Sequence, residues 1–163
     1  MMNLIDHKKI EEFMSEAGEL ARQSVRDFGG GPFGAVVVAN NIVVGRGRNN
    51  VTVKNDPTAH AEIVAIRDAC AKKKTFDLKG HVIFSSCEPC PMCLSAIYWA
   101  RIDKIFYANS RMDAQKIGFD DNEIYCELAK HVDQRRIKMV RVPDKISSLA
   151  FLDWEQKIDK VEY

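Results

Sequence analysis

Two short clusters, His60-Ala61-Glu62 and Pro89-Cys90-Pro91-Met92-Cys93, constrain this chain more than anything else in it. They offer one imidazole nitrogen and two thiolates, which reads as a metal site with three protein ligands. Three is the count of a catalytic zinc, whose fourth position stays open for water; a structural zinc is closed by four. Two segments far apart in sequence must therefore meet at one point and be held rigidly there. Each cluster also reads as the start of a helix, where partial positive charge and free N–H groups favour the thiolate form of Cys90 and Cys93. Pro91 suits a first helical position.

Glu62 decides what such a site is for. A water activated by a metal needs a group to take and return its proton, and a carboxylate two residues beyond His60 is placed to do so. Cys87-Glu88-Pro89-Cys90 is itself a C-x-x-C. Cys87 is read as a free thiol at the end of a strand, beside the ligands His60, Cys90 and Cys93. A closed structural site that includes Cys87 is the rival reading, and with it a zinc-stapled interaction domain. Such a site has no use for Glu62, so the carboxylate favours an enzyme.

The remaining pattern supplies a frame. Apolar residues at three- and four-residue spacing predict a helix over residues 7–28. Residues 35–39 and 42–45 are β-branched runs around Asn40-Asn41, a hairpin whose two strands read as largely buried. A polar, turn-rich stretch covers 49–57, and a second helix follows from residue 58 with His60 and Glu62 in its first turn. A strand is expected at 82–84, a helix at 92–100 and a strand at 104–107. Beyond these come short helices at 111–118 and 124–129 around a loop at 118–122, a strand at 139–142 stopped by Pro143, and a last helix at 147–157. Helices that alternate with strands after a hairpin argue an α/β fold, a three-layer α/β/α sandwich over a mixed sheet. The strand order is left open.

At 163 residues the chain is sized for a single domain, with 46% hydrophobic and 29% charged residues and a formal charge of +1. So neutral a balance predicts no strong pull toward nucleic acid or an anionic membrane. Lys72-Lys73-Lys74 and Arg135-Arg136-Ile137-Lys138 are read as solvated faces. The first residues lack a secretory apolar core, so a cytoplasmic protein is expected. Five cysteines, three of them packed between Cys87 and Cys93, suit metal binding in a reducing compartment better than disulfides. Cys70 and Cys126 are read as small apolar fillers.

The order H-x-E followed by P-C-x-x-C is the signature of zinc nucleobase deaminases. On it, and on Gly30-Gly31-Pro32-Phe33-Gly34-Ala35-Val36, Asn49-Asn50-Val51-Thr52, Asn55-Asp56-Pro57-Thr58-Ala59, Ala96-Ile97-Tyr98-Trp99-Ala100-Arg101 and Gly118-Phe119-Asp120-Asp121, the chain resembles the cytidine deaminase superfamily, and most closely its small bacterial-type guanine deaminases. The resemblance covers nearly the whole chain and is loose from Ile124 to Ser148. It implies a cytidine deaminase-like fold, one zinc per subunit, and hydrolysis of guanine to xanthine and ammonia with Glu62 as proton carrier. It further implies that Phe33 stacks on the purine, that Asn49 bonds the base, that Ala61 and Trp99 line the pocket, and that Asp121 relays a proton to the leaving amine. A homodimer is implied too, in which a C-terminal segment, about 144–163, is exchanged and Tyr163 enters the partner's pocket. The zinc motif alone is shared by deaminases of cytidine, deoxycytidylate, tRNA adenosine and guanine, and a tRNA adenosine deaminase or a deaminase of guanosine, cytosine or a triazine remains an alternative.

Overall fold

The molecule, a computed structural model, is described over residues 6–27 and 29–162. Its chain divides into two compact units, one ending at Asp121 and the other beginning at Asn122.

The first unit is built on a mixed four-stranded sheet of order β2-β1-β3-β4. Strand β1 (Gly34–Ala39) pairs antiparallel with both β2 (Ile42–Arg48) and β3 (Val82–Cys87), and β3 pairs in parallel with β4 (Lys104–Asn109). The β1–β2 connection is the expected tight turn, with Asn40 and Asn41 both at positive φ (49° and 61°) as a two-residue hairpin of this kind requires. Alternation of side chains along β1 and β3 divides the core between two faces. Helix α1 (His7–Asp27) lays Phe13 and Ala17 on Val36, Val38, Val82 and Phe84. On the opposite face, α3 (Ala61–Lys73) and α4 (Pro91–Trp99) contribute Ala61, Ala65, Ala69 and Ile97 to a cluster with Ala35, Val37 and Ile83. Helix, sheet, helix is the expected three-layer arrangement.

The hairpin departs from expectation in one respect. Strand β1 is buried throughout, but β2 is not, and Ile42 is 66% exposed. The strand order puts β2 at an edge, and an apolar run does not by itself distinguish an edge from a centre. Within the stretch read as loop lies a single helical turn, α2 (Val51–Lys54), which ends at Asn55 in the left-handed conformation. Helix α5 (Arg111–Lys116) starts at a reciprocal capping box between Ser110 and Asp113.

The second unit holds α6 (Asn122–Ala129), a 3-10 turn at Val132–Gln134 and α7 (Lys145–Gln156), none with a buried residue. Helix α7 begins two residues before the expected start, because Asp144 and not Ser147 is its cap: the Asp144 carboxylate accepts from the Ser147 N–H and hydroxyl. Two expectations fail here. Residues 139–142 are not in a strand, since a strand needs a ladder partner that the unit does not supply. Cys126 is exposed on α6 and fills no core, because that helix has no buried face. Cys70, in contrast, packs against the α3 side of the sheet.

Candidate active site

The site is made where α3 and α4 begin. His60 is the N-cap of α3 (φ −66°, ψ 156°) and Cys90 the N-cap of α4 (φ −65°, ψ 169°), with Pro91 at the first position of the latter. A cap side chain ordinarily accepts from the backbone one turn on. Neither His60 nor Cys90 does so, which leaves both side chains for another task.

What sets the height of α3 over the sheet is glycine. A Cβ on Gly47 would come to 2.5 Å from Ala65 N and nearer still to the Ala61 carbonyl, and one on Gly45 would stand 2.8 Å from Ala69 Cβ. With nothing but hydrogens on the strand and alanines on the helix, α3 lies directly on β2, and its first residues reach the end of β3, from which the Cys87–Pro91 turn brings Cys90 and Cys93.

His60, Cys90 and Cys93 thereby form a cluster whose donor atoms all lie within 4.8 Å of one another. The His60 Nδ1 atom is 3.6 Å from Cys90 Sγ and 3.5 Å from Cys93 Sγ. In a tetrahedral zinc site with Zn–N of about 2.05 Å and Zn–S of about 2.3 Å, the N···S edge is about 3.6 Å, so the three donors stand at the spacing that metal demands. Among the described residues this group does not include Cys87, whose thiol contacts the Ser110 carbonyl at 3.6 Å and is pushed up to about 11, first by burial.

The cluster holds its protons unevenly. Cys90 is drawn down to about 4, chiefly because the Cys93 thiol bonds to it, with His60 assisting against burial. Cys93 is pushed up by that same bond and then by burial. His60 is raised, first by its bond to Cys90. A pair that shares a proton and a charge is ready to lose the proton to a cation.

Glu62 lies beside this cluster, 5% exposed, at the second position of α3. Ser85 Oγ donates to its Oε1 at 3.0 Å, and Cys93 Sγ stands 3.4 Å from its Oε2. Burial is the main cause that raises its carboxyl above the usual range, opposed by hydrogen bonds. Such a group takes up and gives back a proton more readily near neutral pH than an exposed carboxylate does. Asp121, partly buried, is raised too, first by burial and then by the nearby Cys90 charge.

A second group converges around Gly31. Asn49, 5% exposed, accepts from Gly31 N–H (3.3 Å) and Val51 N–H (3.2 Å) through Oδ1, so that Nδ2 is the other, donor end of its amide. The Phe33 ring packs edge-on against Phe119 at 4.9 Å between centroids. Gly118, at φ +92°, allows the turn from α5 that delivers Phe119. Ala61 has its side chain in the core, so what it can present is the N–H of a helix's first residue, which has no intrahelical acceptor. Trp99 closes α4 and is 65% exposed. Tyr163 lies outside the described residues.

Sequence reasoning passed over Ser85 and Phe119. Ser85-Ser86 was the available signal, two hydroxyls on the otherwise apolar strand Val82–Cys87. Ser86 Oγ accepts from Gly34 N–H, so each serine has its own partner.

Residues 7–109 match the family described as the cytidine and deoxycytidylate deaminase zinc-binding region. The chain is 45% identical to a guanine deaminase of Bacillus subtilis over 153 residues, which is 94% of this chain and 98% of that one. It is 37% identical to a tRNA-specific adenosine deaminase of Buchnera aphidicola over 110 residues, 68% of this chain and 67% of the other. The crystal structure of the B. subtilis guanine deaminase superposes with a TM-score of 0.91 at 44% identity, covering 98% of this chain and 99% of that one.

Proposed function

This chain belongs to the cytidine and deoxycytidylate deaminase zinc-binding family, and from that premise we propose that it is a zinc-dependent guanine deaminase, converting guanine and water to xanthine and ammonia. One observation carries the choice of substrate: the likeness to a guanine deaminase runs the length of both chains, through the second unit, whereas the likeness to the tRNA deaminase spans about two thirds.

His60, Cys90 and Cys93 would hold the zinc. Bound there, zinc supplies a Lewis acid that makes water acidic enough to furnish hydroxide near neutral pH. Glu62 takes the proton that water gives up and delivers it to the ring nitrogen next to C2 as oxygen adds to that carbon. The negative charge that would build on the ring is thereby neutralised as it forms. Asp121, raised and partly buried, takes the proton that the new hydroxyl on C2 gives up and passes it to the amine, so that the C2–N bond breaks as C2 becomes a carbonyl and ammonia leaves. Phe33 offers a ring face to the flat purine, and Asn49 its Nδ2 donor to an acceptor on the base edge. The Ala61 N–H and Trp99 complete the lining.

The enzyme works as a homodimer with residues from about 144 to 163 exchanged and Tyr163 in the partner's pocket. Exposed apolar groups support this reading: Ile146 and Phe151 on α7 are 70% and 82% exposed, and β4 ends the sheet with Tyr107 half exposed. No helix among the described residues is long and apolar enough to cross a membrane.

The test is ammonia release and product identity on guanine, guanosine, cytosine, cytidine, adenine and a tRNA stem-loop, with zinc-loaded and chelated protein. Zinc-dependent conversion of guanine alone is expected; turnover of the tRNA in its place would overturn the substrate. Truncation before Tyr163 should weaken guanine turnover, and unchanged turnover would remove the exchanged tail from the site.

A further inference from the structure

Strand β3 is an apolar strand interrupted by polarity at one place. Val82, Ile83 and Phe84 are followed by Ser85 and Ser86, all within 5% of complete burial. Ser85 is the one of the pair on the α3 side: its β1 neighbour is Ala35, which belongs to the α3 cluster, and its hydroxyl donates to Glu62 Oε1 at 3.0 Å. A hydroxyl in an apolar strand is costly unless bonded, and a buried carboxylate is costlier still. The bond between them satisfies the hydroxyl and part of the carboxylate.

The two oxygens of Glu62 have different company. Oε1 is turned to the sheet and held by Ser85, whereas Oε2 is turned to the ligand cluster, 3.4 Å from Cys93 Sγ. A carboxylate can rotate about its last torsion, which is broad and roughly two-fold. The Glu62 N–H and Cys93 also bond this carboxylate, but the Ser85 bond is the one that ties it to the sheet, at a central strand paired on both sides. We propose that Ser85 is a positioning residue for the deamination: it fixes Glu62 through Oε1 so that Oε2 is the oxygen that carries the proton. The role rests on the reading of Glu62 as proton carrier, and a partner that orients a group next to a metal is commonly worth 10- to 100-fold in activity.

The experiment compares zinc-loaded Ser85→Ala, Ser85→Thr and Glu62→Gln with the parent. Readouts are kcat and KM for guanine, zinc per chain, the solvent deuterium isotope effect on kcat, and the dissociation constant of hypoxanthine, which lacks the amine that leaves. For Ser85→Ala, kcat should fall roughly 10- to 100-fold with a larger isotope effect, while zinc content, KM and hypoxanthine affinity stay near the parent values. Ser85→Thr, which keeps the hydroxyl, should recover most of kcat. A Ser85→Ala protein with parental kcat overturns the proposal, as does a joint loss of zinc, hypoxanthine affinity and kcat that threonine fails to restore. If the alanine protein does not fold, Ser85→Cys replaces it, close in size but a weak donor; an undiminished kcat there overturns the proposal and a reduced one sustains it. Turnover by Glu62→Gln would bring down the role of Glu62 itself, whereas an inactive Glu62→Gln beside a fully active Ser85→Ala removes only Ser85.

Discussion

Replacing Gly47 by alanine tests whether the contact between β2 and α3 positions the chemistry. The added Cβ would stand 2.5 Å from Ala65 N, closer still to the Ala61 carbonyl, where ordinary contact begins at 3.4 Å. The gap must open by at least about 0.9 Å, the difference between those distances. Backbone lies on both sides, so neither flexible side chain nor solvent can absorb it. The strand is tied to β1 by its ladder, and the helix that starts at His60 must give way. Overpacking of this kind destabilises by about 1–3 kcal/mol, which for a chain of this length lowers Tm by roughly 3–10 °C. A misplacement near 1 Å at a catalytic group can lower turnover by about 100-fold. Gly18→Ala serves as control: it lies in the middle of α1, where an added methyl would meet nothing within 4 Å, and should stabilise by about 0.5–1 kcal/mol. Thermal unfolding by circular dichroism, zinc analysis and guanine turnover read all three consequences. If Gly47→Ala kept both Tm and turnover, α3 would not owe its position to that strand.

Cys90→Ala should lose stoichiometric zinc, while Cys87→Ala keeps it, since the Cys87 thiol contacts Ser110 and stands apart from the ligand group; metal analysis after dialysis decides, and zinc loss from the Cys87 variant would restore the four-ligand reading. Asn49→Asp retains the acceptor for Gly31 and Val51 but exchanges the Nδ2 donor for an oxygen, so KM for guanine should rise at least tenfold with little change in Tm. Asn49→Ala should in addition destabilise by about 1–3 kcal/mol, because two N–H groups lose their partner. Asp113 is held down to about 2, first by its bond from the Ser110 hydroxyl and then by Lys116. A lowered folded value stabilises above the ordinary carboxylate range, so the α5 capping box should weaken as pH falls from about 4 toward 2. A carboxyl resonance of Asp113 that titrates near 4 would contradict this.

The parts of the fold that were legible are those where one residue type has one job. Asn40-Asn41 names a tight turn, Pro91 a helix start, and His60, Glu62, Cys90 and Cys93 a meeting point, because their chemistry is useless apart. Residues whose job depends on a neighbour were not legible. The apolar run Ile42-Val43-Val44 looks the same at a sheet's edge as at its centre, and only the order β2-β1-β3-β4 tells which it is. Residues 139–142 have the composition of a strand, yet a strand exists only with a partner to bond. Asp144 outcompeted Ser147 as a cap, a contest between two good candidates three residues apart that spacing does not decide. Ser85 is a serine like any other until the carboxylate above it is located.

The four groups assigned to metal and proton stand in the first turns of two helices packed on a sheet, whereas Phe33, Asn49, Phe119 and Asp121 lie in the connections between elements. The two sets are thus exposed to change very differently. A substitution beneath α3 disturbs everything at once, but a connection can be shortened, lengthened or given a new side chain without shifting the sheet. A hydrolytic engine of this build can acquire a new substrate by changing its loops alone, and the reaction at the amine need never be reinvented.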